Sequence, residues 1–160
     1  MPEMVVAVAV TGILAGASVP AFLGLIQSSR LDGAARQLVS DLRAAQSQAV
    51  ALDELYRLHS GDDPLVNQPG QYRLELSADG GATWTGVTPW SALADAFPGA
   101  RLTGITDSAG SPATVYEVRF TARGACANPG PVVYPLQIAV SGPTGSRTIQ
   151  VRQLGGVKVL

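Results

Sequence analysis

Residues 3–26, EMVVAVAVTGILAGASVPAFLGLI, decide how the whole chain is organised. After Glu3, the stretch from Met4 to Ile26 contains no charged side chain. As an α-helix it would rise about 34 Å, which exceeds the roughly 30 Å of a bilayer's hydrocarbon core. We therefore predict that residues 1–26 form a transmembrane helix at the start of the chain.

A cleavable secretory signal is the alternative for this stretch. Ala15-Gly16-Ala17 has the small residues of a cleavage site. However, no Lys or Arg precedes the apolar run, and the run continues beyond the candidate site. Both observations favour a helix that is retained.

Small residues recur along the predicted span. Gly12, Gly16, Pro20 and Gly24 follow one another at every fourth position, and such a ridge lets another helix approach closely. Glycine and proline are also common in membrane helices generally, which leaves a second explanation for the pattern. Glu3 stands at the edge of the span, where a carboxylate requires a cationic partner or the headgroup region.

This N-terminal stretch resembles that of type IV pilins and type II secretion pseudopilins. The resembling pieces are Glu3-Met4-Val5-Val6, Thr11-Gly12-Ile13-Leu14-Ala15 and Val19-Pro20-Ala21-Phe22. The resemblance implies a non-enzymatic subunit in which Glu3 pairs with the N-terminal amine of a neighbour during assembly. It also implies as partners the sister subunits, an inner-membrane assembly platform, its ATPase and a prepilin peptidase.

The family's basic leader, the glycine of its peptidase site and its methylated phenylalanine are not present before Glu3, because the sequence opens with Met1-Pro2. We therefore expect the natural start to lie upstream, or the chain to be truncated. No methylated residue can be named.

A second helical segment is predicted over residues 27–58. Its apolar residues follow in steps of three and four and form one stripe. These residues are Leu31, Ala34, Leu38, Leu42, Ala45, Ala49, Leu52 and Tyr56. The spacing permits a coiled coil, but the small alanines and the strand-rich sequence that follows favour packing against a sheet.

Residues 59–160 are predicted to form a head of antiparallel sheets, because short alternating segments are separated by Gly- and Pro-rich turns with no long helix between them. The predicted strands cover 71–77, 83–87, 101–106, 115–122, 134–141, 147–154 and 157–160, and 90–97 is a short helix or turn. The expected fold is α+β and pilin-like: one long helix, continuous from the membrane, packed on two small sheets.

The second half of the head resembles the H-type minor pseudopilins and FimT-like minor pilins, known together as the GspH/FimT domain. The resembling pieces are Val118–Gly124, Leu136–Ser141, Arg147–Val151 and Gly155–Val159. The resemblance implies a minor pseudopilin of a type II secretion system, with its head in the periplasm. The alternative is a FimT/FimU-like minor pilin that binds DNA in natural transformation.

Charge is unevenly distributed along the chain. All 12 acidic residues and six of the 11 basic ones lie within residues 1–117, whereas residues 118–160 carry the other five basic residues and no acid. Arg147, Arg152 and Lys158 lie on the closing strands, where they are candidates for contacting DNA phosphates. Charges on edge strands also serve to prevent aggregation, which is the other explanation.

The composition excludes several kinds of site. A single cysteine rules out an internal disulfide framework, and a single histidine rules out a multi-histidine metal site. His59-Ser60-Gly61-Asp62-Asp63 has metal-ligating residue types, but we interpret it as a solvated surface loop. No nucleophile–base pair supports a secreted hydrolase, so we expect no cofactor and no enzymatic activity. Cys126 is interpreted as a free or buried thiol, with pairing between chains as the alternative.

Overall fold

The structure, a computed structural model, describes residues 2–109 and 116–160, apart from the side chains of residues 2, 5, 7, 8 and 13–21. Its elements in chain order are α1 (Pro2–Leu52), β1 (Leu55–Ser60), β2 (Gln71–Ser77), β3 (Thr85–Gly86), β4 (Ser91–Ala92), α2 (Leu93–Ala96), β5 (Arg101–Thr106), β6 (Glu117–Phe120), β7 (Leu136–Gly142), β8 (Gly145–Val151) and β9 (Val157–Val159).

The strands form two antiparallel sheets. The first sheet has the order β3-β2-β1-β6, with β4 also paired to β2, and the second has the order β5-β7-β8-β9. Every described strand pair is antiparallel. This is the arrangement expected where short strands follow one another without long crossover helices.

One face of α1 packs against both sheets and forms the centre of the core. The buried helix residues follow the predicted stripe, with Ala35 and Val39 added to it. They meet alternate residues of the strands, among them Leu58 of β1, Val118 and Phe120 of β6, and Ile138 of β7. The prediction that α1 packs on sheets, rather than in a coiled coil, is therefore confirmed for residues 31–49.

The helix ends six residues before its predicted end at residue 58. Asp53 has a left-handed backbone with φ of 56°, and the N–H of Glu54 donates to the carbonyl of Ala49 at 3.2 Å. This bond across six residues is the Schellman closure of a helix C-terminus. Consequently residues 55–60, predicted as helix and loop, form strand β1, in which Tyr56 is buried.

Candidate assembly surface

The N-terminal half of α1 does not pack on the head. The first described residue of the helix that is buried is Leu31. Before it, the described large apolar side chains are exposed by 45% to 77%, and they are Met4, Val6, Val10, Phe22, Leu23, Leu25 and Ile26. An apolar surface of this length marks a site that lipid or another protein covers.

The predicted assembly residues lie along this half of the helix. Glu3 is in the first turn of α1 and is exposed. Gly12 is also exposed, and a Cβ placed on it would meet no atom of this chain within 4 Å. Gly16 and Pro20 belong to α1, but their side chains and surroundings lie outside the described residues. Glu3 and Gly12 are thus open to a partner.

The side chains of residues 13–21, in the middle of the predicted membrane span, lie outside the described residues. Within the residues that the structure describes, no helix meets the length and apolarity that crossing a bilayer requires.

The candidate DNA-binding residues do not share one surface. Lys158 of β9 lies directly opposite Gln150 of β8, so these two residues project from the same face of the second sheet. Arg147 is three positions before Gln150 and therefore projects from the opposite face, because side chains alternate along a strand. Arg152 follows the end of β8 and is exposed. The structure does not bring Arg147 and Lys158 together.

Arg147 is engaged within the chain. Its Nε donates to Oδ1 of Asp32 on α1 at 2.7 Å. This ion pair joins the helix to the second sheet. A phosphate that bound Arg147 would have to compete with the Asp32 carboxylate.

A network of charged residues covers the outer face of the first sheet. Its members are Arg57 and His59 of β1, Arg73 and Glu75 of β2, and Glu117 and Arg119 of β6, which lie opposite one another in the strand register. Arg57 bonds Glu75 and Glu117, each at 2.5 Å. Arg73 also pairs with Glu75, and Arg119 pairs with Glu117 at 3.0 Å.

Two tryptophans close over this network. The Trp84 ring lies 4.1 Å from the Arg57 guanidinium and 4.8 Å from that of Arg119. The Trp90 ring lies 4.6 Å from the guanidinium of Arg73. Rings stacked on guanidinium groups shield the ion pairs from water, so the outward face of this sheet is a second, polar core.

Glu75 is the centre of that polar core and is fully buried. Burial alone would raise the pKa of its carboxyl, but contacts with His59 and Arg57, and the charge of each, outweigh burial and lower the pKa to about 2. His59 Nδ1 lies 3.3 Å from Glu75 Oε2 but outside hydrogen-bond geometry, so that contact is electrostatic. Glu75 therefore stays ionised at neutral pH.

Residues 59–63 do not form the solvated loop that was predicted for them. His59 and Ser60 are buried at the end of β1. The ring Nε2 of His59 lies 3.1 Å from Oδ2 of Asp63, whose other carboxylate oxygen accepts from the N–H of Leu65. In the described part of the chain, no three His, Cys, Asp or Glu residues are grouped to hold a metal ion. The contacts of His59 and Asp63 therefore stabilise the turn that follows β1.

Cys126 is free and buried. Burial is the main reason that the pKa of its thiol is raised to about 11. A buried neutral thiol is a poor nucleophile and a poor candidate for a bond to another chain.

The sequence of the head decides the family. A profile of the family described as "Type II transport protein GspH" matches residues 34–155, which is more than half of the chain. The chain belongs to the GspH family. The sequence-based prediction of a type II secretion minor pseudopilin is thereby confirmed at the level of the family. No curated protein sequence matched the chain.

Solved structures share the fold of this GspH family member. The type IV minor pilin FimU of Pseudomonas aeruginosa is similar with a TM-score of 0.57 at 16% identity, over 85% of this chain and 92% of that one. The minor pseudopilin EpsH from the type 2 secretion system of Vibrio cholerae gives 0.56 at 13% identity, over 82% of this chain and 96% of that one. The predicted α+β, pilin-like fold is confirmed, with one long helix followed by antiparallel sheets.

Sequence reasoning missed the charged network and its tryptophan cover. The signal was present, because Arg57-x-His59, Arg73-x-Glu75 and Glu117-x-Arg119 each place charged or polar groups at alternate positions. It was missed because residues 55–58 were assigned to the helix, which removed the central strand from the predicted sheet.

Proposed function

We propose that this GspH family member is a non-enzymatic, single-span subunit of the bacterial inner membrane that enters a periplasmic pseudopilus through the N-terminal half of α1. The observation that carries the proposal is the division of one continuous helix. The head buries one apolar face of residues 31–49, whereas the described large apolar residues before Leu31 have no cover within this chain. Lipid before assembly, and sister helices after it, would supply that cover.

The sequence supports the membrane part of this proposal. Residues 4–26 carry no charge over a length that matches a bilayer. The continuity of α1 from Pro2 to Leu52 supports an arrangement in which the head lies directly beyond the membrane surface. We therefore propose three functional segments: the anchor at 1–26, the amphipathic helix from 27 to its observed end at Leu52, and the β head beyond it.

Assembly would depend on the four residues predicted for it. Gly12, Gly16 and Pro20 would form the ridge against which a neighbouring helix packs. The carboxylate of Glu3 would pair with the N-terminal amine of the adjacent subunit. Sister pseudopilins, the assembly platform with its ATPase and the prepilin peptidase are the partners this role requires.

The alternative function, a minor pilin that contacts DNA through Arg147, Arg152 and Lys158, has less support. The fold shared with FimU is compatible with it. However, Arg147 is bonded to Asp32 and faces away from Lys158. DNA binding through these residues requires three free cations on one surface. Arg147, Arg152 and Lys158 do not provide such a surface.

Replacing Glu3 with Ala tests the proposed assembly role. In a host that carries the secretion system, we expect Glu3→Ala to reach the membrane in normal amount but to be depleted about tenfold or more from sheared pseudopili, because a buried charge pair is lost. Quantitative immunoblotting of both fractions measures this. Glu54→Ala, just beyond the C-terminal end of α1, is the matched control and should be incorporated like wild type. Equal recovery of Glu3→Ala and wild type in pseudopili would refute the role of Glu3.

A further inference from the structure

A groove runs between α1 and the edge strand β9. It has a volume of about 450 Å³. The residues that line it are Arg36, Val39, Ser40, Arg43, Val157, Lys158 and Val159. Arg36 and Arg43 on its helix wall are cationic and no lining residue is acidic, so the groove has a positive potential with an apolar floor. Lys158 adds charge at the rim, since its side chain projects from the other face of the sheet.

The cations of the groove are not neutralised by the rest of the described chain. Neither Arg36 nor Lys158 forms an ion pair with a described residue. Arg43 forms no such ion pair either, although its Nη2 donates a hydrogen bond to the carbonyl of Val157 at 3.4 Å. The carboxylate one helical turn before Arg36 is that of Asp32, which is held by Arg147 at 2.7 Å. The groove thus has positive charge available for a partner.

The groove also offers backbone hydrogen bonds. Lys158 lies opposite Gln150, and the N–H of Leu160 donates to Thr148 of β8. Because bonded and free residues alternate along an antiparallel edge, the N–H and C=O groups of Val157 and Val159 face away from β8, towards the groove. Of these groups, the carbonyl of Val157 already accepts from Arg43. An extended peptide can use such an edge.

We propose that this groove receives an extended, carboxylate-bearing segment of the adjacent pilin-like subunit. The inference rests on the proposed function, because it is the assembly of parallel helices that brings a neighbouring head beside this part of α1. Residue 36 is about 15 Å along the helix from Ile26, the last residue of the apolar stretch. The groove therefore lies next to the proposed helix–helix contact, on its C-terminal side. Carboxylates pair with Arg36 and Arg43, and backbone groups pair with β9. A nucleic acid satisfies the charges but has no use for the strand edge.

A photo-crosslinking residue in place of Ser40 tests this inference in the full chain, expressed in membranes that contain the secretion system. Ser40 is exposed and lies on the groove wall. We expect an adduct with a pilin-like subunit, with the crosslink mapped by mass spectrometry to a peptide that contains Asp or Glu. Combining it with Arg36→Glu and Arg43→Glu should reduce the adduct about tenfold, because like charges would then face each other.

The matched control is Arg101→Glu with Arg123→Glu, which makes the same change in net charge at two exposed arginines outside the groove. It should leave the adduct unchanged. Arg36→Gln with Arg43→Gln, which removes charge without reversing it, should give an intermediate loss. Normal tryptophan fluorescence identifies the variants that have folded.

Three results would overturn the inference: no adduct at Ser40, an adduct with DNA, or an adduct with a pilin-like subunit that survives charge reversal. A second crosslinker at Gly12 separates this failure from failure of the proposed function. Adducts with sister subunits at Gly12 but not at Ser40 would support the proposed assembly and refute the proposed role of the groove. Absence of adducts at both positions would contradict the proposed function itself.

Discussion

At the scale of single residues, Glu75 holds the outer face of the first sheet together. Its carboxylate is fully buried and is shared by Arg57 and Arg73. A buried ion pair contributes little compared with a well-packed apolar pair, but removal of one partner leaves uncompensated charge. Loss of Glu75 should therefore destabilise the head strongly, even though Glu75 lies on the outer face of the sheet and away from α1.

Glu75→Gln should lower the free energy of unfolding by about 3 kcal/mol, because it removes the buried carboxylate charge that pairs with the partly buried Arg57 and Arg73. Urea unfolding of the full chain in detergent micelles measures this, with the fluorescence of Trp84 and Trp90 as the signal, since both rings stack on this network. Glu54→Gln is the control and should cost little. A cost for Glu75→Gln no larger than that of the control would contradict the role assigned to Glu75.

Acid should unfold the head partly through the same residue. The pKa of Glu75 is about 2 in the folded chain against an ordinary value of 4.5. A lowered folded-state pKa stabilises the fold above the ordinary value, and that contribution is lost as pH falls from about 4.5 to about 2. A pH titration of tryptophan fluorescence should show wild type losing more stability in this window than Glu75→Gln. Parallel losses in the two proteins would show that Glu75 is not the responsible group.

At the scale of elements, the position at which α1 ends determines where strand β1 begins. Leu52 and Tyr56 continue the helical spacing of apolar residues, while Tyr56 and Leu58 begin a strand spacing, so the two patterns overlap. The helix stops because Asp53 adopts a left-handed backbone. Glycine is the usual residue there, and an aspartate gives a weaker signal, which is why periodicity alone extended the helix to residue 58.

Asp53→Ile should lower the free energy of unfolding by about 1–2 kcal/mol, because a β-branched residue is strained in the left-handed region. Asp53→Gly at the same position should be neutral or slightly stabilising, which makes it the matched control. Urea unfolding of both variants gives the comparison. Identical midpoints for the isoleucine and glycine variants would mean that this backbone conformation does not limit the fold.

Local patterns predicted most of the remaining elements. Strands β2 and β5 have their predicted bounds, and β7, β8 and β9 agree to within a few residues, since each alternates apolar residues between clear turns. The buried face of α1 was also predictable from its spacing. What the residues alone did not reveal was pairing across the chain: the Asp32–Arg147 ion pair joins positions 115 residues apart, and no local pattern encodes it.

At the scale of the whole molecule, one helix serves two environments. The head uses the second half of α1 as the centre of its core, and the described first half presents apolar side chains outward. Membership of the GspH family explains why half of the helix is left uncovered by the head, because a secretion pseudopilin assembles with other subunits. The family match begins at residue 34, inside the buried half, so the assembly half is argued from its own residues and not from the match.

The measurement that tests the central claim most directly is the intact mass of the native protein, determined separately for the membrane with its pseudopili and for the soluble periplasm. We predict that the membrane and pseudopilus fraction holds nearly all of the protein, with residues 3–26 present in it. The opposite result is a soluble periplasmic monomer that lacks residues 3–26. It would show that the apolar stretch is removed and would contradict its role in anchoring and assembly.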